Sequence, residues 1–589
     1  MSGLDKGSDM TRLIPHPGSE QDGNETQTLV TALRSRAQAH PDRTAFLWLD
    51  GQGRELRRAT FADLDRAACA AAAVLQTEGF EGERVLLSCR DGLDFMTGFL
   101  GCAYAGVVAV PVNPPQHEGA AARLRSVAED AAPAAWLTGE DPGETARWIA
   151  GAQLPERPVY GIRELAAGSP AQWRPPAIGA GDLAFLQYTS GSTSDPKGVM
   201  VTHANLAWNS RSAAARFEHS PDSTMVTWLP LFHDMGLIYA ALETVYSGIR
   251  CVMISPYSFL KRPRVWLEAI TRYGGTHSAA PNFAYDLCVR RIPEEQRRGL
   301  SLETWRVALN GSEPVRASTL RRFADAFSAC GFRPQAFNPG YGLAEATVVV
   351  TGHPVGGGPK IRKSAEEGRE VVSVGAPAPH ARIAIVDPSL RVECPEGVTG
   401  EVWVSGPMVA RGYWRREEAT RDTFFARLAA TREGPFLRTG DLGFLDKGEL
   451  YLTGRIKDLV IVAGQNHYPQ DIEETVERCH PAIRPASVIA FSVDGKEGEE
   501  LVVVAAVSER EAEKKGVLAE ITSRIRQRVA LHHEIRVHRV LLARPAAVPK
   551  TSSGKVQRRL CRLRYLAGEL ESLEERFEPE VARAISAAD

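Results

Sequence analysis

The sequence predicts an α/β protein, with a large N-terminal domain of βαβ-type sheets, a small β-rich subdomain and a small mobile α+β C-terminal domain. Strand-like and helical patterns alternate through about residue 350, which indicates mostly parallel sheets covered by helices. Short strands punctuated by Gly and Pro follow from residue 381, and a compact mixed segment begins near residue 457. With 589 residues, 43% of them hydrophobic, the chain can bury large cores without disulfides.

The first elements show the alternation. Residues 43–50 have the composition of a strand. Thr60 is predicted to open a helix that runs to Gln76, because Asp63 follows three residues later and can complete a capping box. A buried strand, a helix and another strand are then predicted at 83–89, 94–106 and 107–112.

The later segments have a different texture. Three short strands are predicted for the β-rich subdomain, at 381–388, 400–407 and 448–455. Beyond them we expect a strand pair, and then a helix, two strands and a second helix at 469–479, 486–493, 501–507 and 519–532. Lys457, in a charged turn, marks the boundary, which gives a flexible leader at 1–26, a large domain at 27–456 and a C-terminal domain at 457–589.

Composition excludes several classes of protein. The formal net charge of −2 provides no global field for nucleic acid, and neither a signal peptide nor a membrane span is predicted. Nine cysteines without CxxC pairs favour reduced thiols and a cytoplasmic setting, and no zinc-site spacing is present. The basic run at 557–566 is interpreted as a solvated helix face, with a local basic patch as the alternative.

The segment YTSGSTSDPKG at 188–198 follows an apolar strand and carries the clearest chemical signal. Its Ser, Thr and Gly residues favour a turn whose backbone N–H groups point at phosphate oxygens, and Lys197 adds a positive charge. The spacing does not fit a Walker A loop. The alternative interpretation of this segment alone is a polar surface turn.

Three further segments carry candidate residues. In NPGYGLAEAT at 338–347, Tyr341 can stack on an adenine ring and Glu345 can bind Mg²⁺. Asp441 can accept hydrogen bonds from two ribose hydroxyls, and Arg455 follows it in the same segment. Lys555, on a Gly-containing segment, can close over a transferring phosphoryl group. Taken alone, the segment at 338–347 more often forms a loop and a helix N-terminus.

In this order, the four segments resemble the superfamily that contains acyl-CoA synthetases, peptide-synthetase adenylation domains and luciferases, over residues 27–566. The resemblance implies an adenylation domain that uses ATP and Mg²⁺, and a C-terminal domain that rotates about Lys457 as a hinge. The catalytic residues that it implies are Lys555, Glu345 and His233, with Glu345 also the metal ligand. The implied ATP-binding residues are Thr189, Ser190, Gly191, Ser192, Thr193, Lys197, Gly311, Ser312, Glu313, Asn338, Tyr341, Gly342, Asp441 and Arg455.

Three details resemble the fatty acyl-AMP ligase branch of that superfamily. They are LPLFHDMGL at 229–237, Ala344 in YGLAEAT, and GQNHYPQDIE at 464–473. The resemblance implies that a fatty acid is activated to acyl-AMP with release of pyrophosphate, and that the acyl group then passes to the phosphopantetheine thiol of a carrier protein in trans. The alternative is an acyl-CoA synthetase, because only 25 residues separate Thr347 from Ser373 where the branch usually carries a longer segment.

The acyl chain needs an apolar tunnel, and burial of a chain contributes about 0.8 kcal/mol per CH₂. Its candidate wall residues are Met235, Gly236, Ile238 and Phe283. His233 also fits a structural role in an apolar neighbourhood, and His467 either holds a turn or serves the site. Glu473 and Glu474 are interpreted as a solvated helix face. A regulatory protein that binds nucleotide without turnover is disfavoured by the intact Lys197 and the other candidate residues.

Overall fold

A computed structural model describes residues 27–114, 121–189, 196–363, 370–462, 465–495, 499–551 and 555–577. The predicted leader at 1–26 lies outside these ranges. Within them, no helix has both the length and the apolar composition that crossing a membrane requires.

Two sheets form the centre of the large domain. The seven-stranded sheet contains, from edge to edge, Phe337–Pro339 (β13), Val307–Asn310 (β12), His277–Ala280 (β11), Thr224–Thr227 (β9), Arg250–Ile254 (β10), Thr44–Leu49 (β1) and Glu55–Thr60 (β2). The six-stranded sheet contains Val159–Gly161 (β6), Ala135–Thr138 (β5), Arg84–Ser88 (β3), Val108–Pro111 (β4), Leu183–Thr189 (β7) and Lys197–Thr202 (β8). Strand pairs are parallel except at one edge of each sheet, where β2 and β8 run antiparallel to their neighbours. The predicted parallel architecture is therefore confirmed, and the edge strand β2 is an addition to it.

Helices cover both sheets. They are Leu29–Ala39 (α1), Phe61–Thr77 (α2), Gly92–Ala105 (α3), Ala121–Ala131 (α4), Pro142–Gly151 (α5), Ile162–Ala166 (α6), His203–Phe217 (α7), Glu243–Ser247 (α8), Pro256–Lys261 (α9), Arg264–Tyr273 (α10), Asn282–Arg291 (α11), Glu294–Arg297 (α12) and Ala317–Phe327 (α13). Thr60 caps α2 as predicted, because its Oγ1 accepts from the N–H of Asp63 at 3.1 Å while the Asp63 carboxylate accepts from the N–H of Thr60 at 3.0 Å. Every residue of α3 is buried, which explains why its sequence is mostly apolar. Its one charged residue, Asp94, is paired with Arg57 at 2.7 Å.

The β-rich subdomain is a four-stranded antiparallel sheet, which contains the three predicted strands and one additional strand at Leu437–Asp446. Its strands are Arg382–Val386 (β18), Gly400–Ser405 (β19), Leu437–Asp446 (β20) and Glu449–Arg455 (β21). The helix Glu417–Phe424 (α14) precedes β20. Two small strand pairs connect this sheet to the large domain: Thr351–Gly352 (β14) with Ala376–Pro377 (β17), and Ile361–Lys363 (β15) with Glu370–Val372 (β16).

The C-terminal unit is α+β, as predicted. Its strands are Val460–Val462 (β22), Gln465–His467 (β23), Ile483–Asp494 (β24), Glu499–Val507 (β25) and Val537–Ala543 (β26). Its helices are Pro469–Glu477 (α15), Glu509–Ala512 (α16), Val517–His533 (α17), Arg558–Leu566 (α18) and Leu573–Phe577 (α19). Alternate residues of β25 enter two separate apolar cores, one shared with α15 and α17 and the other shared with α18. The helix α18 therefore lies on the opposite face of this sheet from α15 and α17.

The interpretation of Glu473 as part of a solvated face is wrong. Its side chain is buried, and both carboxylate oxygens accept hydrogen bonds from the Arg558 guanidinium at 2.8 and 3.0 Å. Arg558 also donates to Asp458 at 2.7 Å. The basic run is consequently divided, because Arg558 lies in the interior of the C-terminal unit while its neighbour Arg559 is exposed.

Candidate active site

The candidate residues gather at one edge of the seven-stranded sheet. Strands β11, β12 and β13 are adjacent and parallel, so their carboxyl ends meet at the same edge. Phe283 follows β11, Ser312 follows β12 and Tyr341 follows β13. Residues beyond the carboxyl ends of parallel strands form the usual ligand crevice of an open α/β sheet.

Asp441 connects this edge to the β-rich subdomain. It is buried, and its Oδ2 accepts a hydrogen bond of 2.6 Å from the hydroxyl of Tyr341. Its Oδ1 accepts one of 2.7 Å from Nε of Arg455, which is paired with it across β20 and β21. Burial and the adjacent Asp441 carboxylate raise the pKa of the Tyr341 hydroxyl, which therefore stays protonated as a donor. Three of the predicted nucleotide residues thus form one connected group.

A second group contains a residue that sequence reasoning did not identify. Tyr413 is buried, and its hydroxyl donates to Oε1 of Glu345 at 2.8 Å. The ammonium of Lys197 lies 4.7 Å from the centroid of the Tyr413 ring, within cation–π range. Burial raises the pKa of Glu345, and the hydrogen bond from Tyr413 opposes that rise. The only sequence signal for Tyr413 is an aromatic residue directly after Gly412.

Lys197 is positioned by a hairpin. Strands β7 and β8 are antiparallel, and Thr189 is paired with Lys197 at the base of the connection between them. The predicted phosphate-loop residues Ser190, Gly191, Ser192 and Thr193 lie outside the described residues. Lys197, at the start of β8, lies over the ring of Tyr413 and so belongs to the second group.

Lys555 reaches the site from the C-terminal unit. Its pKa is lowered by burial and by the charge of Arg455, while the carboxylates of Glu313 and Asp234 oppose that effect. These three charged groups belong to the large domain or its subdomain, so the lysine lies within the electrostatic neighbourhood of the candidate site. The interface between domains also includes an ion pair of 3.1 Å between Arg316 and Glu477.

His233 and Asp234 form a close pair. The Nδ1 of His233 is 2.6 Å from Oδ1 of Asp234, and that oxygen also accepts from the N–H of Met235 at 2.7 Å. Burial raises the pKa of Asp234, but His233 and Lys555 outweigh it and lower the pKa below the ordinary value. Asp234 is part of the sequence motif, but the sequence gives no sign that the charge of Lys555 acts on it. That effect depends on the tertiary structure.

The segment after β12 is held by Asn282. Glu313 accepts from the backbone N–H and the side-chain amide of Asn282 at 2.8 and 3.0 Å. Ser312, which follows Gly311, has a positive φ of 71°, an uncommon conformation for a residue with a side chain and one that is often found at functional sites. These contacts fix the Glu313 carboxylate, whose charge acts against the lowering of the Lys555 pKa.

Two predicted nucleotide residues have clear structural roles. The side-chain amide of Asn338 donates to the backbone carbonyl of His353 at 2.8 Å and accepts from its N–H at 3.0 Å. A Cβ at Gly342 would lie 1.3 Å from the carbonyl oxygen of Val348, so the turn beside Tyr341 requires glycine.

Three of the four candidate acyl residues belong to one buried helix. Met235, Gly236 and Ile238 belong to the π-helix Met235–Leu242, a rare conformation that occurs often at functional sites. The Oγ of Ser312 is 3.6 Å from the sulfur of Met235, which places that side chain beside the nucleotide residues. Phe283 is partly buried and packs edge-on against Trp228, with ring centroids 5.9 Å apart.

The remaining candidates lie at the junction of the domains. Lys457 is exposed within the short 3₁₀ helix Ile456–Asp458. His467 is buried, and burial lowers the pKa of its imidazole. Ser318, at the start of α13, donates to Glu474 at 3.0 Å, so Glu474, which is partly exposed, also contributes to the interface.

The described residues provide no cluster of three or more His, Cys, Asp or Glu side chains that could hold a metal by themselves. Mg²⁺ typically binds one or two carboxylates together with substrate phosphates and water. Glu345, oriented by Tyr413 beside Lys197, is a donor of that kind. The residues present therefore fit a magnesium ion that arrives with a triphosphate.

The group of Tyr341, Asp441 and Arg455, with Lys197 at its hairpin and Lys555 from the C-terminal unit, is the arrangement expected of an adenylate-forming enzyme. A family profile described as "AMP-binding enzyme" matches residues 33–414, and a second, described as "Disco-interacting protein 2-like, AMP domain", matches residues 457–575. The chain belongs to the AMP-binding enzyme family and, within it, to the fatty acyl-AMP ligases.

Individual relatives support this assignment. The medium-chain-fatty-acid–[acyl-carrier-protein] ligase JamA of Moorena producens is 40% identical, over 94% of this chain and 97% of the relative. The long-chain-fatty-acid–AMP ligase FadD26 of Mycobacterium marinum is 36% identical, over 92% and 97%. The crystal structure of the fatty acyl-adenylate ligase from L. pneumophila with acyl adenylate and pyrophosphate is 37% identical, with a TM-score of 0.70 over 93% of this chain and 98% of that one.

Proposed function

We propose that this enzyme activates a fatty acid with ATP to acyl-AMP, and then passes the acyl group to the phosphopantetheine thiol of a carrier protein. The observation that carries the proposal is the connected group of Tyr341, Asp441 and Arg455. Lys555 is coupled to this group because the charge of Arg455 acts on its ammonium together with the charges of Glu313 and Asp234. Similarity to JamA, whose name includes an acyl-carrier-protein acceptor, supports the second step.

In the first step, a carboxylate oxygen of the fatty acid attacks the α-phosphorus of ATP. The bond from that phosphorus to the bridging oxygen breaks, and pyrophosphate leaves. Asp441, with its two hydrogen-bonded partners, holds the ribose, and Lys197 binds the β- and γ-phosphates. Glu345 would hold a magnesium ion that arrives with the triphosphate, and the ion would supply positive charge to neutralise the phosphates.

Lys555 contributes by electrostatics. Negative charge develops on the phosphoryl and bridging oxygens in the transition state, and a fixed ammonium lowers the energy of that charge more than the energy of the ground state. His233 lies beside the attacking carboxylate, and its Nδ1 contact with Asp234 fixes the orientation of its ring. Catalysis in this site is mainly positioning and charge stabilisation.

In the second step, a thiolate attacks the acyl carbonyl carbon, AMP leaves and the proton of the thiol passes to solvent. The C-terminal domain turns about Lys457 between the two steps, so Lys555 leaves the site. Lys457→Pro restricts φ at this position, and we expect it to slow thioester formation more than adenylation. Equal loss of both reactions, measured separately, contradicts a hinge at Lys457.

Product analysis tests the proposal as a whole. The enzyme is incubated with ATP, Mg²⁺ and a panel of fatty acids, with coenzyme A or a generic holo-carrier protein as acceptor. We expect pyrophosphate release, acyl-AMP accumulation in the presence of coenzyme A, and acylation of the holo-carrier. Acyl-CoA formation with a kcat/KM that matches the carrier reaction identifies an acyl-CoA synthetase instead, and absence of pyrophosphate release contradicts the adenylation step.

We also propose that the reaction takes place in the cytoplasm. All nine cysteines lie within the described residues as free thiols, and eight of them are buried. Such a pattern is typical of a reducing compartment. Fractionation of the producing cells, with antibody detection of the chain, measures its location directly, and recovery outside the cytoplasmic fraction contradicts this assignment.

A further inference from the structure

The helix α18 presents an apolar outer face. Leu560, Leu563 and Leu566 are 37%, 45% and 56% exposed. Their spacing of three residues places them on one side of the helix. An exposed apolar strip of this kind marks a site of interaction more often than an isolated surface leucine does.

The inner face of α18 packs against the sheet of the C-terminal unit. Cys561 is fully buried, and Arg558 is bonded within the unit to Glu473 and Asp458. The ring of Tyr565 lies against Phe491 with centroids 5.6 Å apart. The helix is therefore fixed to the sheet by one side, and its three leucines point away from the core that this side enters.

Arginines border the apolar strip. Arg559 is exposed and Arg564 is partly exposed on the same helix. Arg562 is half-exposed and donates through Nε to the carbonyl of Ser492 at 2.8 Å, with Asp494 at 3.9 Å from its guanidinium. Leucines inside a cationic border form a surface that complements an acidic face with apolar side chains at its centre.

The position of α18 relates this surface to the reaction. The helix begins three residues after Lys555 and is joined to it through Val556, which packs in the core that α18 shares with β24 and β25. A partner bound to α18 therefore remains at a fixed offset from the lysine segment. Because that segment enters the site for adenylation, the partner moves with the same domain that must turn before the thiol can react.

We propose that Leu560, Leu563 and Leu566, with Arg559 and Arg564, form the docking surface for the acidic, apolar-centred face of the carrier protein that receives the acyl group. This inference rests on the proposed function and names the part of the chain that selects the macromolecular acceptor. Coenzyme A has the same thiol arm but no folded surface for the leucines to contact. Docking on α18 thereby gives a carrier protein a higher affinity than a free thiol such as coenzyme A. The adenylation site itself is unchanged by this docking.

The test compares Leu563→Ser/Leu566→Ser and Arg559→Glu with the wild type. Leu531→Ser is the matched control, because Leu531 is 68% exposed on α17, which packs on the opposite face of the same sheet. Three quantities are measured for each protein: pyrophosphate release without acceptor, acyl transfer to pantetheine, and acyl transfer to a generic holo-acyl carrier protein. Carrier binding is measured separately by calorimetry.

We expect the double variant and Arg559→Glu to lose at least tenfold in kcat/KM and in affinity for the carrier, the scale of interface hot spots. Pyrophosphate release and transfer to pantetheine should stay within twofold of the wild type, and Leu531→Ser should behave as the wild type throughout. Unchanged carrier binding in both variants overturns the inference, as does a parallel loss of transfer to pantetheine.

Sedimentation with anionic phospholipid vesicles distinguishes a membrane from a carrier. Vesicle binding that depends on Leu563 and Leu566, without carrier binding, overturns the docking proposal in favour of a lipid surface. If the wild type releases no pyrophosphate, the proposed function fails, whereas carrier binding by calorimetry still tests the surface. The two failures are therefore distinguishable.

Discussion

Arg316 of the large domain and Glu477 of the C-terminal unit form an ion pair of 3.1 Å across the interface between these two units. Lys555 belongs to the same C-terminal unit. Burial of Arg316 opposes its ionisation, but the carboxylates of Glu477 and its neighbours outweigh burial and raise the pKa of the guanidinium. The pair therefore favours the observed arrangement of domains, which we propose to be the one in which adenylation takes place.

Removal of this pair should slow adenylation selectively. We expect Glu477→Gln to lower the rate of pyrophosphate release about threefold to tenfold, because a partly buried pair contributes roughly 1 kcal/mol and 1.4 kcal/mol is a factor of ten. Acyl transfer from preformed acyl-AMP to pantetheine should change less. Arg321→Gln is the control, since Arg321 on α13 pairs with Glu370 outside the interface. A larger loss in the transfer step contradicts this role.

Lys555→Ala should lower adenylation by about 10²–10³, the scale for loss of one preorganised donor. Affinity for ATP should largely survive, because the Asp441–Tyr341 pair and Lys197 lie outside the C-terminal unit and are not changed by the substitution. Single-turnover acyl-AMP formation measures the first quantity and equilibrium binding of ATP the second. Lys550→Ala is the matched control, since the Lys550 ammonium donates to Ser487 of its own domain. Near-normal acyl-AMP formation in Lys555→Ala removes this residue from the catalytic role.

Adenylation should have an alkaline limit set by Lys555. Burial and Arg455 lower its pKa below the ordinary 10.5, while Glu313 and Asp234 oppose the shift. The ammonium is the active form, so activity is present below the folded-state pKa and is lost as pH rises through it. We expect the alkaline limb of pyrophosphate release below pH 10.5, and Glu313→Gln should move it to lower pH. In Lys555→Arg, whose guanidinium keeps its charge, this limb should disappear, and its persistence at the same pH assigns it to another group.

Tyr413→Phe tests the support of Glu345. The substitution keeps a ring beneath Lys197 but removes the hydroxyl that donates to the carboxylate. The pKa of Glu345, already raised by burial, should rise further. Because the carboxylate is lost as pH falls through that pKa, the KM for Mg²⁺ should increase more at pH 6 than at pH 8. An equal increase at both values shows that Tyr413 acts on packing alone.

Arg558→Ala should destabilise the C-terminal unit by about 3–5 kcal/mol, the range for removal of one partner of a buried ion pair. The loss leaves the buried Glu473 without its guanidinium. Chemical denaturation measures the change, and Arg559→Ala, on the exposed side of the same helix, should stay within about 0.5 kcal/mol. Addition of Glu473→Gln should recover part of the loss, and a double variant no more stable than Arg558→Ala contradicts the pairing.

Local signals in the sequence determined much of the architecture. Thr60 and Asp63 predict the start of α2, and apolar runs bounded by Gly and Pro predict β3, β18, β19 and β21. These signals can be read from the sequence because each depends on residues within a few positions of each other. The motifs around Tyr341, Asp441 and Lys555 likewise predict the chemistry, since each combines the needed residue types within one short segment. Strands β2, β20 and β26 escaped prediction. Two of them, β2 and β26, are edge strands, and the position of a strand at the edge of a sheet is not visible in composition.

The tertiary structure decided which groups meet. Tyr413 and Glu345 are 68 residues apart in the chain, and Arg558 and Glu473 are 85 apart, so neither partnership has a local sequence signal. The same separation explains why Glu473 was mistaken for a surface residue. Charge and burial depend on what folding brings within a few ångströms, and the sequence specifies that only through the packing of the whole chain.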